Sequence, residues 1–329
     1  MDAPPLVSLD DVLAARTAIG GRLHRTPTFS SATLGARTGA RAFLKAELFQ
    51  RTGSFKPRGV LTKLASLGAD ERGRGVISIS AGNQAQALAW CSGLEGIDCL
   101  MVMWQGANPM KIAATRGYGA EVDLAASGPG EAFDRLAELL EQTGRTLVHP
   151  FDDPLTMAGQ GTVGLELLED VSDADVVLVP VGGGGLISGI ATAVKGLRPQ
   201  ARVIAVEPEG SAALHAGLEA GRPVRIEPRT IADGLNAPFA GESCLAVCRE
   251  RVDETVLVTD DEIAAGLRFL YGRAKLACEP AGAATTAALL AGKVELEPGS
   301  TVVAIVSGGN VAPETASAIL AENEGRRPS

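Results

Sequence analysis

The segment Gly53-Ser54-Phe55-Lys56-Pro57-Arg58-Gly59 sets a lysine where a helix is about to begin. Proline suits the first turn of a helix and pushes the residue before it into extended backbone. Pro57 therefore reads as the first helical position, with Lys56 extended and held just outside the helix mouth. Gly53 and Ser54 supply turn chemistry ahead of it. A lysine fixed there suits an amine nucleophile that takes a carbonyl cofactor as a Schiff base, provided its surroundings let it lose its proton. Taken by itself, the segment also fits a surface lysine that opens an amphipathic helix.

Gly182-Gly183-Gly184-Gly185 lies between an apolar strand and a helix. Its unobstructed backbone N–H groups and the helix N-terminus make an anion site suited to a phosphate. A plain turn needs one glycine, and four carry an entropic cost. Ser80-Ala81-Gly82-Asn83-Gln84 is a second strand-to-helix loop. Its N–H groups fit a carboxylate and the Asn83 amide fits a phenolate-type oxygen, although Asn83 is also a good helix cap. Ser307-Gly308-Gly309-Asn310 is a third loop, and all three fall at the carboxyl ends of strands, where open α/β sheets place ligands. The third glycine of a G-x-G-x-x-G fingerprint falls on Ile187 or Ser188, and no Walker lysine is present, which excludes a P-loop. Glu207, following the strand 203–206, keeps a nicotinamide-dependent dehydrogenase with Glu207 on a ribose as the alternative from another class.

The elements that must hold these loops alternate along the chain. Spacing predicts a helix over 9–22, a strand over 42–47 and a helix over 57–67, then a strand over 76–80 and a helix over 84–91. A strand over 99–103, a helix from Asn108-Pro109 to Gly117, and strands over 121–124 and 146–148 complete a first α/β unit. After Pro150 the pattern resumes: helices over 158–169, 186–195, 211–218 and 280–290, one more opening at Asp260, and strands over 176–181, 203–206 and 301–306. Two doubly wound units facing each other are expected, with the first half lending part of its chain to the second sheet. Residues 324–329 are expected to be disordered.

At 329 residues the chain is long enough for a large core and two domains, and its richness in Ala, Gly, Val and Leu suits buried parallel strands. A net charge of −9 without a segregated basic patch argues against nucleic acid or an anionic membrane as partner. The start has no basic segment followed by an apolar one, and no apolar run reaches membrane-spanning length. The five cysteines (Cys91, Cys99, Cys244, Cys248, Cys278) fit neither a disulfide framework nor a zinc pattern, and read as reduced core thiols of a cytoplasmic protein. His24, His149 and His215 are scattered and read as structural.

The Lys56 segment, Ser80-Ala81-Gly82-Asn83, the four glycines and Ser307-Gly308-Gly309-Asn310 occur in this order and spacing in one family. Lys45-Ala46-Glu47, Thr230-Ile231-Ala232-Asp233-Gly234-Leu235 and Glu279-Pro280-Ala281-Gly282-Ala283 extend the match over nearly the whole chain. The sequence resembles the pyridoxal-phosphate enzymes of the tryptophan-synthase β-like fold (fold type II), and within them the threonine/serine dehydratases, relatives of serine racemase. The resemblance implies two doubly wound α/β domains with parallel or mixed sheets and the cofactor in the cleft between them. Residues 1–75 and 150–329 would form the large cofactor-binding domain, and 76–149 the small domain carrying the asparagine loop.

By the same resemblance Lys56 holds pyridoxal phosphate as a Schiff base. Gly182, Gly183, Gly184, Gly185 and the Leu186 amide hold its phosphate, Asn83 bonds the ring oxygen, Ser307 faces the pyridine nitrogen, and Phe55 and Gly234 border the ring. Ser80, Ala81 and Gly82, with Asn83, would take the substrate carboxylate. The implied reaction is α,β-elimination of water from L-threonine or L-serine to a 2-oxo acid and ammonia, with freed Lys56 as the base at Cα. A dehydratase for hydroxyaspartate or a bulkier β-hydroxy amino acid is the alternative within the fold, and an O-acetylserine sulfhydrylase or a non-catalytic ligand sensor is less favoured. Serine racemases carry a serine where Ala81 stands, so elimination without efficient racemisation is expected. The dehydratases usually have histidine where Gln84 stands, which bears on substrate choice. Racemase-like relatives hold a divalent cation with a Glu matching Glu207 and an Asp where Ala213 stands, so no tight metal site is expected. A homodimer is expected, without an appended regulatory domain.

Overall fold

The computed structural model describes residues 6–321. The start of the chain and the tail expected to be disordered lie outside the described residues. Helix α1 (Leu9–Ile19) opens on a capping box in which the Ser8 hydroxyl and the Asp11 carboxylate serve each other's backbone N–H groups. Strand β1 (Thr28–Ser30), α2 (Ala32–Thr38) and β2 (Arg41–Ala46) lead to α3 (Pro57–Ala65) and α4 (Ala69–Arg74). Next come β3 (Val76–Ile79), α5 (Asn83–Glu95), β4 (Cys99–Trp104), α6 (Pro109–Gly117), β5 (Glu121–Ala126), α7 (Pro129–Thr143) and β6 (Thr146–Leu147). The second half runs through α8 (Pro154–Asp170), β7 (Val176–Pro180), α9 (Gly185–Leu197), β8 (Arg202–Pro208), α10 (Ala213–Ala220) and α11 (Glu242–Arg251). It ends with β9 (Glu254–Val258), α12 (Asp260–Phe269), α13 (Pro280–Leu290), β10 (Thr301–Val306) and α14 (Pro313–Ala321).

The strands form two sheets. One has the order β1-β2-β10-β7-β8-β9, parallel except for the antiparallel β1–β2 pair at its edge. The other is β5-β4-β3-β6, parallel throughout. The early strand β2 lies beside the last strand β10, so the N-terminal segment does join the second sheet. Because parallel strands are covered on both faces, β7 and β10 are buried along their whole length. Val177, Val179, Val303 and Ile305 point to one side and pack with Ile187 and Ile190 of α9. Leu178, Val302, Ala304 and Val306 point to the other and meet Ala283, Ala284 and Ala287 of α13, whose small side chains let that helix approach. Each such Val or Leu contributes about 1.5–3 kcal/mol by leaving water.

Candidate active site

The backbone at Lys56 corrects the sequence expectation. Lys56 is helical (φ −52, ψ −38), and the extended residue is Ser54 (φ −161, ψ 166). Ser54 is extended because it bridges to Gly308 after β10, and the Phe55 N–H donates to the Ser307 carbonyl at 3.2 Å. The turn is therefore completed two residues before Lys56, and the Lys56 carbonyl already accepts from the Val60 N–H at 3.3 Å despite the proline between them. Buried charges fix the first turn of α3. Arg58 donates to both carboxylate oxygens of Glu47 and of Glu166, and Lys45 donates to Glu166 at 2.9 Å. This is the use the fold makes of Lys45-Ala46-Glu47 and of the arginine after Lys56-Pro57.

The Lys56 side chain is half-buried. Its amine donates to the Pro150 carbonyl at 2.7 Å and lies 5.2 Å from the centre of the Phe55 ring. Burial lowers its pKa from 10.5 to about 8. At neutral pH it thus holds a proton that it can readily give up, as a nucleophile or base must.

The four-glycine loop stands beside it at the N-terminus of α9. A Cβ on Gly183 would fall within the ring of Phe151, and Gly184 has φ +100 with Cys244 Cβ 2.8 Å from its own Cβ position. Gly182 backs onto the Leu235 backbone, and Gly185 onto that of Phe151. The protein thus presses on the loop from the side on which a Cβ would lie, at the N-terminus of α9.

The asparagine loop meets the third loop. Asn83 opens α5, and its amide donates to Glu279 Oε1 at 2.7 Å while its oxygen accepts from Asn310 Nδ2 at 2.8 Å. The Cβ position of Gly234 is 3.9 Å from Asn83 Nδ2 and 3.5 Å from Glu279 Oε1. Ser307 is buried at the end of β10, next to Ser54 and Phe55. Lys56, Phe55, Asn83, Gly234, Ser307 and the glycine loop, scattered in sequence, are thereby gathered around one place. In the Ser80–Gly82 stretch the Gly82 N–H is held by the Ser80 hydroxyl at 3.1 Å, and Ala81 is half-buried. Gln84 is buried with neither amide atom partnered within the protein.

Residues 20–308 match the family model for pyridoxal-phosphate dependent enzymes. The chain belongs to this family. It is 42% identical over 307 residues to an L-threonine ammonia-lyase of Thermotoga maritima, covering 93% of this chain and 76% of that one. It is 41% identical to a catabolic L-threonine dehydratase of Escherichia coli K12, covering 93% of each. Among solved structures it superposes on a maize serine racemase with a TM-score of 0.91 at 35% identity, covering 95% and 97% of the two chains. It superposes on a T.th. threonine deaminase with a TM-score of 0.87 at 42% identity, covering 93% and 99%.

As a pyridoxal-phosphate dependent enzyme, the chain offers what the cofactor requires. A desolvated amine, a helix N-terminus lined by glycines, and the unpartnered buried oxygens Ser54 Oγ and Glu279 Oε2 lie around one site. The residues present fit the group. Sequence reasoning missed Glu279 as a site residue; burial and the charge of Asp233 push its carboxyl up from 4.5 to about 7 against the Asn83 bond. It also missed the Pro150 carbonyl, Phe151 and Asn310. The motifs contained two of these, since Glu279 begins one quoted segment and Asn310 ends another, but nothing there assigned them a partner.

Glu207 decides the dinucleotide alternative. Its carboxylate is fully buried and accepts the Leu214 and His215 N–H groups at 2.7 and 2.8 Å, capping α10. It does not present itself to a ribose, and the family match removes the dehydrogenase reading. Among the described residues no three metal-ligating side chains converge, and no helix is long and apolar enough to cross a membrane.

Proposed function

We propose that this enzyme is an ammonia-lyase for L-threonine and L-serine, eliminating water and releasing a 2-oxo acid and ammonia. The observation that carries the reading is the shielded Lys56 amine, titrating near 8 beside both a phosphate-type cradle and the asparagine loop. Pyridoxal phosphate, when bound, supplies the electron sink that makes the substrate Cα proton acidic. Gly182, Gly183, Gly184 and Gly185 with the Leu186 amide would hold its phosphate. Asn83 would donate to its ring oxygen, Ser307 would face its pyridine nitrogen, and Phe55 and Gly234 would border the ring. A neutral hydroxyl at that nitrogen, in place of a carboxylate, favours prompt elimination over transamination. Ser80, Ala81 and Gly82 with Asn83 would orient the substrate carboxylate. Lys56 Nζ would hold the cofactor through its carbonyl group and, as the free amine, would take the proton from Cα. Ala81 has no proton to deliver to the opposite face, so racemisation is inefficient.

The same reading assigns residues 1–75 and 150–329 to a large unit and 76–149 to a small one, supported by the two sheets. It also holds that two copies associate. Phe29 and Phe49, 42% and 48% exposed, pack edge to face at 6.2 Å beside the outer strand β1, an apolar patch fit for a second copy. Five free, buried cysteines favour the cytoplasm.

Purified protein should carry a visible cofactor band that borohydride abolishes, with the cofactor fixed to the Lys56 peptide; a label elsewhere would overturn the assignment. Release of 2-oxo acid should be fastest from L-threonine or L-serine. Faster turnover of a hydroxyaspartate or phenylserine would move the substrate, and substantial D-serine formed from L-serine would overturn the role given to Ala81.

A further inference from the structure

The chain passes from the four-stranded sheet to the six-stranded one through residues 149–153, and each of these residues grips something near the site. Val148 is the last residue tied to β3, donating to the Ile77 carbonyl and accepting from the Ser78 hydroxyl. The Pro150 carbonyl receives the Lys56 amine at 2.7 Å. The Phe151 ring occupies the space that a side chain on Gly183 would need, and its backbone backs Gly185. The Asp152 carboxylate accepts the Glu242, Ser243 and Cys244 N–H groups at 3.0, 3.0 and 3.2 Å, capping α11 beside the glycine loop. Asp153 caps α8 and pairs with Lys63 at 2.7 Å.

The turn is closed by one side chain. His149 Nδ1 accepts the Asp152 N–H at 2.8 Å and the Phe151 N–H at 3.3 Å, and its ring stands edge-on to Phe151 with centroids 4.7 Å apart. Two donors converge on Nδ1, so the ring proton must sit on Nε2 and Nδ1 must be bare.

We propose that His149 is a positioning residue for Lys56 and for the glycine loop, and that it acts only as the neutral imidazole with Nδ1 unprotonated. This deepens the reading of Lys56 as the cofactor-binding amine and rests on it. A proton on Nδ1 would face two N–H groups that it can only repel. The turn would open, the free amine would lose the Pro150 carbonyl, and the Phe151 ring would leave the back of the loop. Burial lowers the pKa of His149 below its ordinary 6.5. The charges facing the ring are Asp152 and Asp153 from its own segment, which raise it, and Lys56 at the start of α3, which lowers it. The Lys63 pairing offsets Asp153, and Cys244 of α11 stays a thiol because burial raises it well above 9.0. The sign follows: a group whose folded pKa is depressed binds fewer protons when folded, so the closed turn is complete above about 6.5 and is lost as pH falls.

The test compares the full-length wild type with His149→Asn and His149→Phe, each dialysed against pyridoxal phosphate between about pH 5 and pH 8. Retained cofactor is read by absorbance and the fold by thermal midpoint. Asparagine offers an acceptor oxygen that cannot titrate, so His149→Asn should hold its cofactor through the acid range in which the wild type releases it. His149→Phe, with no acceptor, should hold it about tenfold more weakly at every pH. In labelled cofactor-free wild type, nitrogen NMR should show His149 Nδ1 bare at neutral pH. The proposal is overturned if the acid limb of His149→Asn coincides with that of the wild type, if His149→Phe retains cofactor as the wild type does, or if Nδ1 carries the proton. A wild type that takes up no cofactor at any pH overturns the Lys56 reading itself, and this inference with it.

Discussion

Gly183 and Gly82 both follow a buried parallel strand and both lie at the start of a helix, yet their surroundings are opposite. Beside Gly183 the space for a side chain is filled by the Phe151 ring, while at Gly82 it holds nothing nearer than the Ser80 hydroxyl at 4.0 Å. The neighbours of Gly183 in the loop are shut in likewise by Leu235, Cys244 and Phe151. One loop is glycine because the protein presses on it from behind. The other is glycine although the protein leaves room, which points to whatever occupies that room. On the proposed assignment, in which the glycine loop anchors the cofactor and the Ser80–Gly82 loop takes the substrate, these two different constructions are what each role would need.

Adding a methyl group to each loop is the sharpest way to break this contrast. Gly183→Ala should have the largest effect: overpacking costs about 1–3 kcal/mol of stability, and cofactor retention should fall with it. Adding Phe151→Ala should recover part of the stability, and failure to recover any would remove Phe151 as the reason for the glycine. The next effect belongs to Glu279, which backs the asparagine loop. Glu279→Leu leaves the Asn83 amide without its acceptor and should cost about 1–3 kcal/mol. Glu279→Gln instead tests pH. A carboxyl raised from 4.5 to about 7 keeps its proton in the fold, so its contribution to stability declines as pH rises through that window. The glutamine variant should lack this decline in chemical denaturation between about pH 5 and pH 8; parallel curves would refute it.

A smaller effect, on rate alone, concerns the amine between the loops. Capture of pyridoxal phosphate by the cofactor-free protein should quicken as pH rises through about 8 and then level off, since only the unprotonated Lys56 reacts. A midpoint near the ordinary lysine value of about 10.4 in stopped-flow absorbance would mean that the amine is not shielded. Gly82→Ala should be the mildest on stability, within about 0.5 kcal/mol. It should keep the cofactor but raise KM for the amino acid; an unchanged KM would mean that the substrate carboxylate binds elsewhere.

Much of the fold was legible where the chain punctuates itself. Asn108-Pro109 and Glu279-Pro280 mark the starts of α6 and α13, and the apolar run 301–306 is β10 to the residue. Less visible were α2, α4, α11 and β9. In α7 the apolar positions Phe133, Leu136, Leu139 and Leu140 do recur at helical spacing between charged residues, and that stripe packs against the four-stranded sheet, so this helix could have been read from the sequence. The backbone at Lys56 was misread because the local rule for residues before proline was overridden by the bridge from Ser54 to Gly308.

By itself the sequence determined the chemistry: a lysine before a proline, four consecutive glycines, and two loops bearing asparagine at strand ends name the types of group and their order. Tertiary structure alone decided how each group is tuned. Asn83 and Glu279 are 196 residues apart and Lys56 and Pro150 are 94 apart, so neither pairing leaves a local trace. The lowered pKa of the amine arises from desolvation by segments that meet only in the folded chain, and the need for glycine at position 183 arises from an aromatic ring that approaches it only there.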